Sequence, residues 1–260
     1  MNRYWDVYKQ CLYSALLSAS AYRMNFFVSS LITLVSNILF PLVTLLIYRA
    51  GASFSGWSFY EVLLIQSVFT ISSGLSSLIF GGVMWTTNHL IREGSFEVVL
   101  LKPLNPLFFI VATTFSLDNV GLFLGGVTLF GIALAHVGAI PALLWLQFAV
   151  LFAAGAAVLA GLSLMMAAMS FKWVGNSRIS ELADSVLQFG KYPLTIFPKA
   201  VQALATMIIP VGMVGFFPAS ALLGRVQAAD FAAVLPCFLF MGAGIWAYRH
   251  MIRLYEGVGG

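Results

Sequence analysis

Polar and apolar positions along this chain fall into long blocks: apolar runs of bilayer-crossing length, punctuated by short charged breaks. A helix needs about 20 mainly apolar residues to cross roughly 30 Å of hydrocarbon. Met24 to Tyr48 is the first such run, uncharged between Arg23 and Arg49. Further runs cover about 62–87, 107–135, 141–171 and 231–249. The pattern predicts an all-α integral membrane protein, one transmembrane domain over 1–260 with no polar block long enough to fold alone.

Residues 177–224 admit two layouts. In one, a span over about 178–197, carrying Arg178, Glu181, Asp184 and Lys191, precedes a re-entrant region over about 199–223. In the other, an amphipathic cytoplasmic helix precedes one kinked span over about 195–223. Both give six transmembrane helices. The first is preferred, because Pro198, Pro210 and Pro218 with Gly212, Gly215 and Gly224 suit a broken element that only surrounding protein could shelter from lipid.

Two membrane-proximal segments have helical patterns of their own. Within 1–22, the 3.6-residue period puts Trp5, Tyr8, Leu12, Leu16 and Ala19 on one face and Arg3, Asp6, Gln10, Ser14 and Ser18 on the other. Such a helix lies in the interface, as a plain anchor or as a connecting element that transmits movement from a partner. The loop over 88–107 predicts a short helix at about 95–102, capped by Ser95, with Glu97 in its first turn and Lys102-Pro103 at its end. Phe96, Val99 and Leu100 form a narrow apolar stripe on it. A solvated connector has no use for such a stripe, whereas a protein groove does.

Charge then sets orientation. Only 8% of residues are charged and mean hydropathy is +0.97, against about 25% charged in soluble domains. With the N-terminus inside, Arg3, Lys9, Arg23, Arg92, Lys102, Lys172, Arg178, Arg249 and Arg253 are cytoplasmic, and Arg49, Lys191, Lys199 and Arg225 are outside. This obeys the positive-inside bias and places both termini in the cytoplasm. No cleavable leader is expected, since Arg3, Asp6, Lys9 and Arg23 interrupt the first residues. No basic run suggests nucleic acid. Cys11 and Cys237 read as apolar cysteines, and His89, His136 and His250 as polar residues at span ends. Asp118 is the one carboxylate expected inside a span, on a face with Thr114, Gly121, Gly125 and Thr128. Gly121 and Gly125 form GxxxG, which lets another helix approach closely. A hydrogen bond across that contact is the favoured role for Asp118, and a substrate- or proton-linked one the alternative.

The run Arg92-Glu93-Gly94-Ser95-Phe96-Glu97-Val98-Val99-Leu100-Leu101-Lys102-Pro103-Leu104 resembles the signature of ABC-2-type permeases, the membrane subunits of bacterial ATP-driven exporters. Tyr192-Pro193 and Phe217-Pro218-Ala219, leading to Leu222-Leu223-Gly224, resemble the region before that family's last span. The resemblance implies a type V-like ABC-2 exporter permease fold, with an N-terminal interfacial helix and re-entrant helices around Pro210 and Pro218. It also implies that 95–102 is a coupling helix, with Arg92, Glu93, Gly94, Phe96, Glu97, Leu100, Lys102 and Pro103 meeting the ATPase. Phe96 and Leu100 would fill the partner's groove. A dimer follows from it too, with a second copy or a related permease, in the bacterial cytoplasmic (inner) membrane, moving an amphipathic or hydrophobic substrate outward.

The chain has no GxxxxGK[ST]; Gly190-Lys191 is followed by Tyr192. ATP and magnesium are therefore expected on separate ATPase subunits, with no cofactor on this chain. Nor is there HExxH or GxSxG, which leaves an intramembrane enzyme without a nucleophile or a metal. A proton-coupled secondary transporter would need more intramembrane charge than Asp118, and a non-transporting scaffold would tolerate charge reversal in 95–102.

Overall fold

The computed structural model describes residues 2–173 and 177–255; the side chains of residues 2 and 177–180, Arg178 among them, lie outside the description. The helices are α1 (Asn2–Ala21), α2 (Arg23–Arg49), α3 (Phe59–Phe80), α4 (Val83–Arg92), α5 (Phe96–Leu100) and α6 (Pro106–Thr113), followed by α7 (Val120–Val137), α8 (Ala142–Met169), α9 (Ser177–Leu187), α10 (Lys199–Ala203), α11 (Phe216–Leu222) and α12 (Val234–Arg253).

Among the described residues five helical stretches, not six, are long and apolar enough to cross a membrane: 23–49, 59–92, 120–137, 142–169 and 228–253. The predicted helix over 178–197 is shorter because Gly190 and Pro193 interrupt it. α9 is an 11-residue helix, continued by 3-10 turns at Gln188–Lys191 and Leu194–Ile196. Proline lacks the N–H that a continuing helix would need.

α3 packs along α7, and α8 along α12. The α2–α7 contact depends on Gly121, where a Cβ would collide with the Ser30 carbonyl; at Gly125 the nearest atoms would be 3.8 Å from a Cβ, an ordinary contact. Only half of the GxxxG pair is therefore used for close approach. α2 itself keeps most of its apolar side chains uncovered, Phe27, Leu31, Val35 and Leu42 included.

Two apolar clusters mark the ends of the bundle. One joins Trp57, Val62 and Ile65 to Leu151, Leu194, Met213 and Leu222. The other joins Val83, Phe96, Val99 and Ile110 to Leu164, Ala168 and Tyr248. The chain from Phe171, beside Phe96, to Leu194 thus passes from the second cluster to the first.

The third predicted span, 107–135, is interrupted. α6 stops at Thr113 and α7 starts at Val120, so Asp118 lies in a non-helical break and is exposed. Its N–H donates to Ser116 Oγ at 3.2 Å, a local turn that competes with helix continuation, and its carbonyl accepts from Ser29 Oγ at 3.2 Å. No carboxylate is therefore buried mid-helix at this point, and the cross-helix bond predicted for the Asp118 side chain is made by its backbone instead.

Residues 210–222 are buried without exception. Pro210 leads into a 3-10 turn at Val211–Met213, and Pro218 lies inside the seven-residue α11. Broken backbone cannot face hydrocarbon with free polar groups. Here Ser72 Oγ donates to the Val214 carbonyl at 2.9 Å, and the surrounding walls are α3 and α8.

Candidate functional site

α5 hangs between α4 and α6 on two sharp turns. α4 closes with Glu93, whose carboxylate lies 3.3 Å from the His89 ring, and Gly94 takes a left-handed φ of +66° that reverses the chain. A side chain at Gly94 would be strained in that region of backbone space. The predicted Ser95 cap is not formed; its hydroxyl donates to the Leu90 carbonyl at 3.4 Å instead. The predicted helix over 95–102 is only the five residues 96–100. After Lys102-Pro103, Asn105 Oδ1 accepts from the Leu107 and Phe108 N–H groups, and Pro106 starts α6.

The five-residue helix has two distinct faces. Phe96 is 0% exposed and Val99 3%. The Phe96 ring meets Phe171 edge-on at 5.0 Å and Tyr255 at 5.2 Å, and Phe171 in turn meets Tyr248 at 5.6 Å. Beneath them Thr87 Oγ1 and the Tyr248 hydroxyl share a buried hydrogen bond of 3.0 Å. The predicted role of Phe96 as groove filler is therefore corrected, because its ring is spent inside this chain, locking α5 to α4, α8 and α12. Outward, α5 presents Glu97, Val98 and Leu100, continued by Leu101 at 83% exposure, with Arg92, Glu93, Lys102 and Pro103 alongside. The Lys102 ammonium lies 4.7 Å from the Phe109 ring centre, which holds its stem against α6.

α1 reaches the same surface. Its Tyr4 ring meets Phe108 of α6 edge-on at 4.9 Å, and Val7 and Cys11 share a cavity of about 420 Å³ with Lys102, Pro103 and Phe109. Burial pushes the Cys11 thiol above its usual range. The stripe of α1 half-covered by this chain is Val7, Tyr8, Cys11, Leu12, Ala15 and Ala19, whereas Trp5 and Leu16 are exposed. Trp5 stacks on Tyr8 at 6.0 Å, with the Lys9 ammonium 5.2 Å from its ring. A second cavity, about 550 Å³, lies between α1 and the helix break and carries Cys11, Asn25, Ser116 and Asp118 on its walls.

Further polar features escaped the sequence reading. At the far end of α3, Ser58 and Glu61 form a capping box, and Glu61 also pairs with Arg225. The Arg225 guanidinium lies 4.4 Å from the Trp57 ring, and Trp57 Nε1 donates to Thr195 Oγ1 at 2.8 Å. The Ser-x-x-Glu spacing was the available signal for that cap. Between α3, α8 and α9 a third cavity, about 480 Å³, brings Ser73, Ser76, Ser77 and Ser163 opposite Asp184, Gln188 and Lys191. The spacing of 184, 188 and 191 by four and three residues already placed those side chains on one helical face. Among the described residues His, Cys, Asp and Glu do not gather in groups of three suited to a metal ion.

A family model described as ABC-2 family transporter protein matches residues 31–259, most of the chain. No curated protein and no solved structure matches it.

Proposed function

Because the chain belongs to the ABC-2 transporter family, in which it is a permease subunit, we propose that it exports an amphipathic or hydrophobic substrate, driven by a separate ATPase docked on α5. The observation that carries this reading is the two-faced α5. A five-residue helix would not stand alone in water. Phe96 and Val99 anchor it in the bundle, while Glu97, Val98, Leu100 and Leu101 are left facing outward. A helix held rigidly by one face and bare on the other is suited to receive a push and pass it to α4, α8 and α12, which share its buried cluster.

In this mechanism the ATPase carries ATP and magnesium and closes on α5 and on α1, which adjoins the Lys102–Phe109 segment. Arg92, Glu93, Glu97 and Lys102 orient the docking, and Val98, Leu100 and Leu101 fill the ATPase groove in place of Phe96. α9 with its two following 3-10 turns completes a sixth crossing, which returns both termini to the cytoplasm of a bacterial cell. The positive-inside count supports that orientation. The uncovered apolar face of α2 meets a second permease, the same chain or a related one.

The test is affinity purification from the native membrane in mild detergent. Wild type should bring down an ABC ATPase, and Glu97→Lys combined with Leu101→Asp should lose it while keeping its own yield. Recovery of the same ATPase with the double variant would remove α5 as the docking element. Absence of any ATPase from wild type, with transport that follows a proton gradient, would replace the ABC reading with proton-coupled transport.

A further inference from the structure

The cavity between α3, α8 and α9 gathers polar side chains from all three helices and the turn that follows α9. In a membrane helix a hydroxyl usually turns back to a carbonyl one turn earlier, since no water is at hand to satisfy it. Thr33, Thr44, Thr113 and Thr128 all do so, at 2.8–3.2 Å. Ser73, Ser76 and Ser77 on α3 and Ser163 on α8 are half-buried, line the cavity and make no such bond among the described residues. Four hydroxyls are thus kept free on two facing helices.

Opposite them lie Asp184, Gln188 and Lys191. Asp184 lies on α9 and Lys191 closes the 3-10 turn after it, which puts the two charges roughly 10–13 Å apart along the axis. The ion pairs of the described residues are His89–Glu93 and Glu61–Arg225, so Asp184 and Lys191 pair neither with each other nor with another described side chain. The Lys191 ammonium rests instead over the Phe40 and Phe69 rings, 4.9 and 5.2 Å from their centres. Asp184 is exposed and has no polar partner among the described residues. Lys191 is the half-buried member of the pair, and charge held within a membrane bundle is costly and marks the path of a ligand or an ion.

The two charges also select the ligand. A cation drawn to Asp184 meets Lys191 farther along the same wall, and an anion drawn to Lys191 meets Asp184. A molecule bearing both signs is attracted at each end. Leu159, Leu162 and Phe80 complete the walls with apolar surface, and about 480 Å³ lies within the range of small-molecule sites. We propose that this cleft binds zwitterionic amphiphiles, with the ammonium seated against Asp184, the anionic group drawing Lys191 off its two rings, and the four serines bonding the polar atoms between. This rests on the reading of the chain as a transport subunit and supplies its substrate class.

Trp85 lines the same cleft and is exposed, so its fluorescence reports occupancy without an ATPase. Purified protein in nanodiscs would be titrated, below the micelle concentration, with four probes sharing a decyl chain: sulfobetaine, trimethylammonium, sulfate and maltoside. The sulfobetaine should bind at least tenfold more tightly than the other three, with a signal absent from Trp85→Phe. Asp184→Asn and Lys191→Gln should each erase that preference, while Lys191→Arg, which retains the charge over Phe40 and Phe69, keeps it. Equal response to all four probes would mean bilayer partitioning alone and overturn the proposal. Tighter binding of the trimethylammonium or the sulfate, unaffected by loss of the opposite charge, would also overturn it by making this a site for one sign. ATPase co-purification is independent of these titrations, so either idea fails without the other.

Discussion

The sharpest prediction compares a residue of α5 with the leucine that follows the helix. Phe96 is fully buried against Phe171 and Tyr255, and Leu101 is 83% exposed. Truncating a buried phenylalanine to alanine costs about 3–5 kcal/mol, because the transfer energy is lost and a cavity remains. Phe96→Ala should therefore lower the thermal midpoint of the solubilised chain by several degrees and reduce its yield. Leu101→Ala removes a side chain with few neighbours and should leave the midpoint unchanged. Once an ATPase covers it, the same leucine contributes about 1.5–3 kcal/mol of burial, so Leu101→Ala should weaken docking roughly 10- to 150-fold. Fluorescence-detected size exclusion across a temperature series gives the first quantity, and titration of the purified ATPase against the permease in nanodiscs gives the second. Equal midpoints for the two variants, or wild-type docking by Leu101→Ala, would refute the two-faced α5.

Four shorter predictions probe the rest of the fold. Gly121→Ala should destabilise the α2–α7 contact, since its Cβ meets the Ser30 carbonyl, whereas Gly125→Ala finds only 3.8 Å contacts and should stabilise by about 0.4–1 kcal/mol; paired melting curves read both. Tyr248→Phe leaves Thr87 Oγ1 without its buried partner and should cost about 1–3 kcal/mol, an amount Thr87→Val in the same chain would largely recover. Asp118→Asn should leave membrane insertion and yield as in wild type, because the carboxylate is exposed in a helix break; a large gain in insertion would put it back inside a span. Arg225→Gln removes a partly exposed pair with Glu61 and a contact with Trp57, and should lower stability by no more than about 1–2 kcal/mol, with the loss shrinking in high salt.

What the sequence made legible was the solvent of each segment, because bilayer length and hydropathy act residue by residue. The long spans at 24–48, 62–87, 141–171 and 231–249 correspond to α2, α3 with α4, α8 and α12 within a few residues. What it obscured depends on partners distant in the chain. Uncharged composition says nothing of where a helix stops, so the break at 114–119, made by a serine hydroxyl taking the Asp118 N–H, passed for continuous span. An apolar stripe likewise does not say what covers it: Phe96 and Leu100 share α5, yet only Phe96 meets Phe171 and Tyr255, which lie 75 or more residues away. The prolines of 198–218 fall where the backbone is broken into short helices and turns, and the complete burial of 210–222 surrounds part of that backbone with protein, where Ser72 bonds the Val214 carbonyl. The same reasoning places the chemistry. Many hydroxyls of this bundle are satisfied by its own backbone, whereas Ser73, Ser76, Ser77 and Ser163 are left without such a bond and share with Asp184 and Lys191 the cleft that α9 closes against α3 and α8.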